Sequence, residues 1–299
     1  MRIRFDSFAK AATQRLLKPL GEVRTQEEIP SSVQYIDALF EPKILTASIA
    51  TERAKLGLLG RLAEEFCMFE FFHNPPGWGD IEDCIAKQHQ LSGQRAREAR
   101  SAKQPRSPLP RLWVLSGGVP ETAIEYYDIR PMDSKDGWPP GCLVVGKAMS
   151  ANLLVLPHLP ERRDTLCLRL MGAGRTLIQA IRELAALPDD AWEREALVPY
   201  LLAFRLDPQS HFNSDESEED AMSYAEELQA IYDDWEAKTR AAGHKQGRSE
   251  LLIKLLSLKF GPLDAATVAR VEAASDTKLD RWAEQVLTAS TLAAVFSEP

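Results

Sequence analysis

The chain has 299 residues, 44% apolar and 27% charged, which excludes a wholly disordered or fibrous protein. Its formal net charge of −8 is unevenly spread: residues 207–236 hold eleven Asp or Glu and no Lys or Arg, leaving the rest slightly positive. Global acidity therefore does not exclude nucleic acid, since local patches decide such binding.

The spacing of Phe8, Ala12 and Leu16 predicts an amphipathic helix over 6–18, capped by Asp6 and ended by Pro19-Leu20-Gly21. The polar, alternating stretch 22–29 predicts a strand, and 35–40 its hairpin partner across a Pro30-Ser31-Ser32 turn. Helical spacing runs over 56–65. The apolar run 66–72, bounded by His73-Asn74-Pro75-Pro76-Gly77, predicts a buried strand. A long helix is expected over 80–103, apolar on one face through Ile81, Cys84, Ile85 and Leu91 and basic in its second half. Strands are expected over 111–116, 142–147 and 152–157, with a short helix over 121–127.

Three helices then follow over 163–171, 176–187 and 189–204, and the acidic stretch 207–220 reads as a solvated linker. A helix over 218–239 leads to a C-terminal unit in which Gly243, Gly247 and Gly261-Pro262 act as breaks, the last followed by three short helices. The whole implies an α/β fold, a mixed sheet flanked by helices with a small C-terminal helical bundle. The expected divisions are a body over 1–205, an acidic linker and connecting helix over 206–244, and a helical domain over 245–299.

Four cysteines at 67, 84, 142 and 167 form no C-x-x-C, which favours a reduced, cytoplasmic protein over a zinc knuckle. The opening MRIRFDSFAK has no apolar core of a secretory signal, and no apolar run approaches the roughly 18 residues of a membrane helix. Ser116-Gly117-Gly118 lacks the spacing of a phosphate loop, and the histidines lack ligand spacing.

The strongest local anomaly is Glu70, an acid inside Phe69-Glu70-Phe71-Phe72. A buried carboxylate is costly unless it is paired or holds a metal. The alternatives are a solvent-facing acid on an edge strand, a salt bridge, or a metal ligand. Asp37 is the second candidate, because Asp has poor strand propensity and stands mid-strand here. Carboxylates on adjacent strands, about 4.8 Å apart, can share one divalent ion. Close approach of the two would favour metal chemistry, whereas a salt-bridged or outward Glu70 would favour a protein of interaction. Glu22 and Glu28 share a strand face by period two, so either could add a third acid, or simply form a polar edge. Arg95, Arg97, Arg100, Lys103, Arg106 and Arg111 fall within a short stretch holding one acid, Glu98. They could track DNA phosphates or form a solvated helix end.

A helix, a polar hairpin carrying Asp, an apolar strand carrying Glu and a long helix resemble the core order of the PD-(D/E)xK nucleases. Gln34-Tyr35-Ile36-Asp37-Ala38-Leu39-Phe40 and Cys67-Met68-Phe69-Glu70-Phe71-Phe72 resemble, in particular, the recombination-promoting nuclease and putative transposase branch. The segment 251–261 resembles the helical domain of unknown function that ends many such bacterial proteins. The resemblance implies a restriction-endonuclease-like core and a Mg²⁺-dependent (or Mn²⁺-dependent) DNA hydrolase of the recombination or mobile-element type. Asp37 and Glu70, with Glu28 as a further acid, would hold the metal. It further implies DNA as partner, and self-assembly through the C-terminal helices is also expected. The family pattern places Lys or Gln two residues after the Glu, where this chain has Phe72. Either Lys87 or Gln88 of the following helix takes that role, or the site is degenerate and the chain is a non-catalytic interaction or assembly protein. A nucleotide-binding enzyme using Gly117-Gly118 is a third, weaker class.

Overall fold

A computed structural model of the chain describes residues 2–29, 34–105, 108–146, 149–204 and 218–297. The expected turn at 30–32, Arg106, and the acidic stretch as far as 217 lie outside the described residues. Contacts divide the chain into two units, Met1–Gln229 and Ala230–Pro299.

The first unit opens with α1 (Arg2–Leu17), which buries Phe8, Ala9, Ala12, Thr13, Leu16 and Leu17. Asp6 lies inside this helix rather than at its cap, because residues 2–5 already have helical backbone. The hairpin follows as β1 (Gly21–Ile29) and β2 (Gln34–Pro42). Two helices then follow: α2 (Ala47–Lys55), capped by the Thr46 side chain in a stretch where no element was expected, and α3 (Leu58–Leu62), the part of the expected 56–65 helix that forms. Gly57 divides them with φ of 54°, a left-handed value that glycine adopts without steric cost.

The strand β3 (Cys67–Phe72) leads into the long helix α4 (Trp78–Ser101), and then into β4 (Arg111–Ser116). A short helix α5 (Glu121–Tyr126), the two-residue strand β5 (Arg130–Pro131), β6 (Cys142–Gly146) and β7 (Ala151–Val155) complete the sheet. Three helices close the unit: α6 (Leu166–Arg169), α7 (Gly174–Ala186) and α8 (Trp192–Phe204).

The seven strands form one mixed sheet in the order β1-β2-β3-β4-β7-β6-β5. The β1-β2, β2-β3, β7-β6 and β6-β5 pairs are antiparallel, whereas β3-β4 and β4-β7 are parallel. Parallel neighbours require a crossover, and α4 supplies it between β3 and β4. Ile81, Cys84 and Leu91 of α4 bury against Leu39, Met68, Leu112, Val114 and Leu153 of the sheet. On the other face of β3 and β4 stand Phe69 and Trp113, the latter donating to Leu62 O of α3 at 3.1 Å. The turn after β4 is a packed corner, not a phosphate loop: a Cβ on Gly117 would lie 2.3 Å from His73 O. All four cysteines are buried free thiols.

The helix α9 (Glu218–Phe260) runs without interruption through Gly243 and Gly247, the positions expected to break it. Both glycines face open space, and an exposed helical glycine costs only about 1 kcal/mol relative to alanine, too little to end a long helix. Gly261, with φ of 88°, does end it. In the second unit α10 (Ala265–Glu272), α11 (Asp276–Thr288) and α12 (Leu292–Val295) follow. Leu252 and Leu256 of α9 pack there with Val271, Leu279, Trp282, Val286 and Val295. Trp282 meets Phe296 edge-on with ring centroids 4.8 Å apart. No helix among the described residues is long and apolar enough to cross a membrane.

Candidate functional site

Glu70 is placed by strand parity. Met68, Glu70 and Phe72 alternate onto the face of β3 covered by α4, so the acid enters an apolar layer. Its strand lies between β2 and β4, and its side chain is 3% exposed, which removes the edge-strand alternative. Asp37 comes to it through the hairpin. The β2-β3 ladder pairs Phe40 with Cys67, Leu39 with Met68 and Ala38 with Phe69, so its next step runs to Asp37 and Glu70. There Asp37 Oδ2 accepts the backbone N–H of Phe71 at 3.0 Å, and the side chain continues the ladder where the strands part.

Each carboxylate faces a lysine. Lys87 of α4 brings Nζ to 2.6 Å from Glu70 Oε2 and also donates to Tyr35 O at 3.2 Å. Lys10 of α1 brings Nζ to 2.9 Å from Asp37 Oδ1, with 13% of its side chain exposed. Glu70 Oε1 is buried and has no hydrogen-bond partner. Burial raises the Glu70 pKa to about 8, and the Asp37 charge pushes in the same direction, while Lys87 and Lys10 oppose them. Burial alone would lower the Lys87 pKa, but the Glu70 carboxylate overturns that and raises it.

The other expected residues fall elsewhere. Gln88 is fully buried and donates to Pro110 O at 2.7 Å and Ser150 O at 3.3 Å, tying α4 to the loops that lead into β4 and β7. One residue along a helix turns about 100°, so Lys87 and Gln88 cannot serve the same point. Phe72 packs against the core beneath α4 and supplies no polar group. Glu22 is an exposed partner of Arg24 at 2.9 Å. Glu28 pairs in register with Tyr35, two residues from Asp37, but its side chain lies outside the described residues.

Within the basic stretch Arg95 is engaged by Glu41 and lies 4.3 Å over the Phe66 ring, and Arg111 pairs with Glu65 at 2.6 Å. Arg97, Arg100 and Lys103 are exposed. Arg97 is ten residues beyond Lys87, about 15 Å along α4.

Sequence reasoning missed Lys10. Its only signal is its place beside Phe8, Ala9, Ala12 and Thr13, at the margin of the buried face of α1. Nothing local announces a contact with a residue 27 positions away.

Magnesium takes one or two protein carboxylates and fills its shell with water and substrate phosphate oxygens. The unpartnered, buried Glu70 Oε1 beside Asp37 fits that modest demand. Among the described residues no cluster of three or more His, Cys, Asp or Glu stands ready for a metal, so the protein's share would be these two acids. No protein-family model matches the chain, and neither a curated protein nor a solved structure matches it.

Proposed function

We propose that the chain is a metal-dependent DNA endonuclease-like protein of the recombination or mobile-element type, with a restriction-endonuclease-like core. One observation carries this reading: Asp37 and Glu70 converge from adjoining strands, and Glu70 Oε1 is buried without a hydrogen-bond partner. The order α1-β1-β2-α2-α3-β3-α4-β4 supports it in keeping the succession of helix, hairpin, Glu-bearing strand and long helix on which the resemblance rests, with α2 and α3 inserted before β3. Lys87 provides the ammonium that Phe72 cannot, from α4 instead of β3.

Asp37 and Glu70 would hold Mg²⁺ or Mn²⁺, which when bound activates water and stabilises charge on a phosphodiester. Lys87 holds a positive charge at Glu70, oriented by Tyr35 O, where it can steady negative charge building on the phosphate. The Phe71 N–H orients Asp37. Supercoiled and linear DNA incubated with Mg²⁺, Mn²⁺ or EDTA tests the reading. Nicking is expected with either metal, absent in EDTA and absent in Asp37→Ala, and Lys87→Ala should lose cleavage while keeping metal binding. Cleavage that survives Asp37→Ala would refute the assignment.

A second reading is a non-catalytic interaction protein that keeps the fold. The observation favouring it is charge balance: Lys10 and Lys87 already neutralise Asp37 and Glu70, as structural ion pairs do. On that reading neither cleavage nor a metal-dependent change in stability occurs.

A further inference from the structure

The second unit carries a small cavity of one charge sign, between the turn from α10 to α11 and the residue that follows α12. Its volume is about 260 Å³. Trp282 and Phe296 form its apolar wall, and Ala274 lies at the turn. Three cations line it, Arg270 of α10 and Lys278 and Arg281 of α11, and among the described residues no carboxylate does. The two arginines are held in place and keep donors to spare. Arg270 lies 4.6 Å over the Phe296 ring and 5.6 Å over that of Trp282, and donates to Phe296 O at 3.4 Å. Arg281 donates to Ser297 O at 2.5 Å. A guanidinium has five N–H donors, so each arginine retains most of its own. Lys278 is exposed and has neither ion pair nor hydrogen bond among the described residues.

This placement costs α11 stability. Lys278 stands in the first turn, where the helix dipole disfavours a cation. It also precedes Arg281 by three residues, so two like charges share one face. The neighbouring acids do not relieve them. At about 100° per residue, Asp276 and Asp280 share a different face of α11, and both meet Arg248 of α9. Glu284 is exposed and pairs with neither cation of α11, and Glu272 lies about 200° around α10 from Arg270. Like charges left to converge on a cavity attract an anion into it. Three cations from two helices suit the divergent oxygens of a tetrahedral phosphate better than a planar carboxylate.

We propose that this cavity is a phosphate-binding site, in which Arg270, Lys278 and Arg281 contact the oxygens of one phosphate group carried by a free phosphoester or by a nucleic-acid backbone. It uses none of Asp37, Glu70 and Lys87, so it stands apart from the nuclease-like reading.

The full chain, labelled with ¹⁵N, provides the test. Trp282 contributes one of six indole N–H signals, assigned by its loss in Trp282→Phe. Inorganic phosphate should shift that signal saturably, with a dissociation constant of about 1 mM. Chloride at the same ionic strength should leave it in place. Lys278→Glu and Arg281→Gln should each weaken phosphate binding about tenfold or more, because each removes a charge-assisted contact. Lys278 has no partner to lose, so Lys278→Ala should be at least as stable as wild type without phosphate and still bind phosphate more weakly. A nucleoside monophosphate and a short DNA duplex separate the two sources. A shift with the monophosphate alone assigns a free phosphoester, and a shift with the duplex that Lys278→Glu abolishes assigns a nucleic-acid backbone. No saturable shift with phosphate overturns the proposal, as does acetate binding as tightly as phosphate. Unchanged affinity in Lys278→Glu, or a loss of stability in Lys278→Ala without phosphate, overturns it too.

Discussion

Two glutamates of the first unit are almost equally buried and meet their cations in opposite ways. Glu193, 2% exposed near the start of α8, has both oxygens taken by the Arg163 guanidinium at 2.6 and 2.9 Å. Glu70, 3% exposed in β3, has one oxygen on Lys87 and the other buried without a partner. A forked guanidinium on a carboxylate completes its hydrogen bonding, whereas an ammonium on one oxygen leaves acceptor capacity unused. Burial of an acid therefore does not by itself separate a clasp from a site; unused capacity beside a second carboxylate does.

The largest expected effect comes from stripping each acid of its cation. Lys87→Met leaves the buried Glu70 carboxyl without a hydrogen-bond partner, and urea unfolding should show a loss of about 3 kcal/mol, the upper end for an unsatisfied buried polar group. Arg163 is 60% exposed, and water can follow into the place it leaves, so Arg163→Met should cost less. The reverse ranking would break the comparison.

Neutral replacements of the acids sharpen it. Glu193→Gln loses a charged, two-pronged clasp and should cost about 2 kcal/mol, whereas Glu70→Gln puts a neutral amide in place of a carboxyl that burial already drives towards its protonated form and should cost less than about 1 kcal/mol. Equal losses in thermal denaturation would mean that Glu70 is as fully satisfied as Glu193.

A smaller effect concerns pH. The folded chain binds the Glu70 proton more tightly than the unfolded chain, because burial and Asp37 raise its pKa from 4.5 to about 8. Its contribution to stability is fully present below about pH 4.5 and is lost as the pH rises towards 8. Unfolding free energies measured across that range should fall with pH in wild type, and the fall should be shallower in Glu70→Gln. Identical slopes would place the titration elsewhere.

Glu70 and Asp37 were legible in the sequence because each breaks its local pattern: an acid between phenylalanines, and an aspartate in mid-strand. The hairpin, the buried strand and α4 followed from periodicity and from Pro and Gly punctuation, which are local signals. Lys87 was legible only as one of two neighbours, since sequence cannot say which side of α4 meets β3. The structure turns Lys87 to Glu70 and ties Gln88 to Pro110 and Ser150. Lys10 was not legible, because its contact with Asp37 depends on how α1 packs on the sheet. Nor was the continuity of α9 through Gly243 and Gly247, where the gain from a long helix outweighs two weak local penalties.

Whether Asp37 and Glu70 together hold a divalent cation is read most directly by thermal denaturation across a Mg²⁺ and a Mn²⁺ titration. At tenfold excess over the dissociation constant, binding to the folded state alone adds about 1.4 kcal/mol, a rise of about 4 °C in Tm for a unit of this size. The account predicts that rise in wild type and its loss in Asp37→Ala. Identical curves for the two proteins at every metal concentration would contradict it, and would make the Glu70–Lys87 pair a structural clasp like that of Glu193 and Arg163.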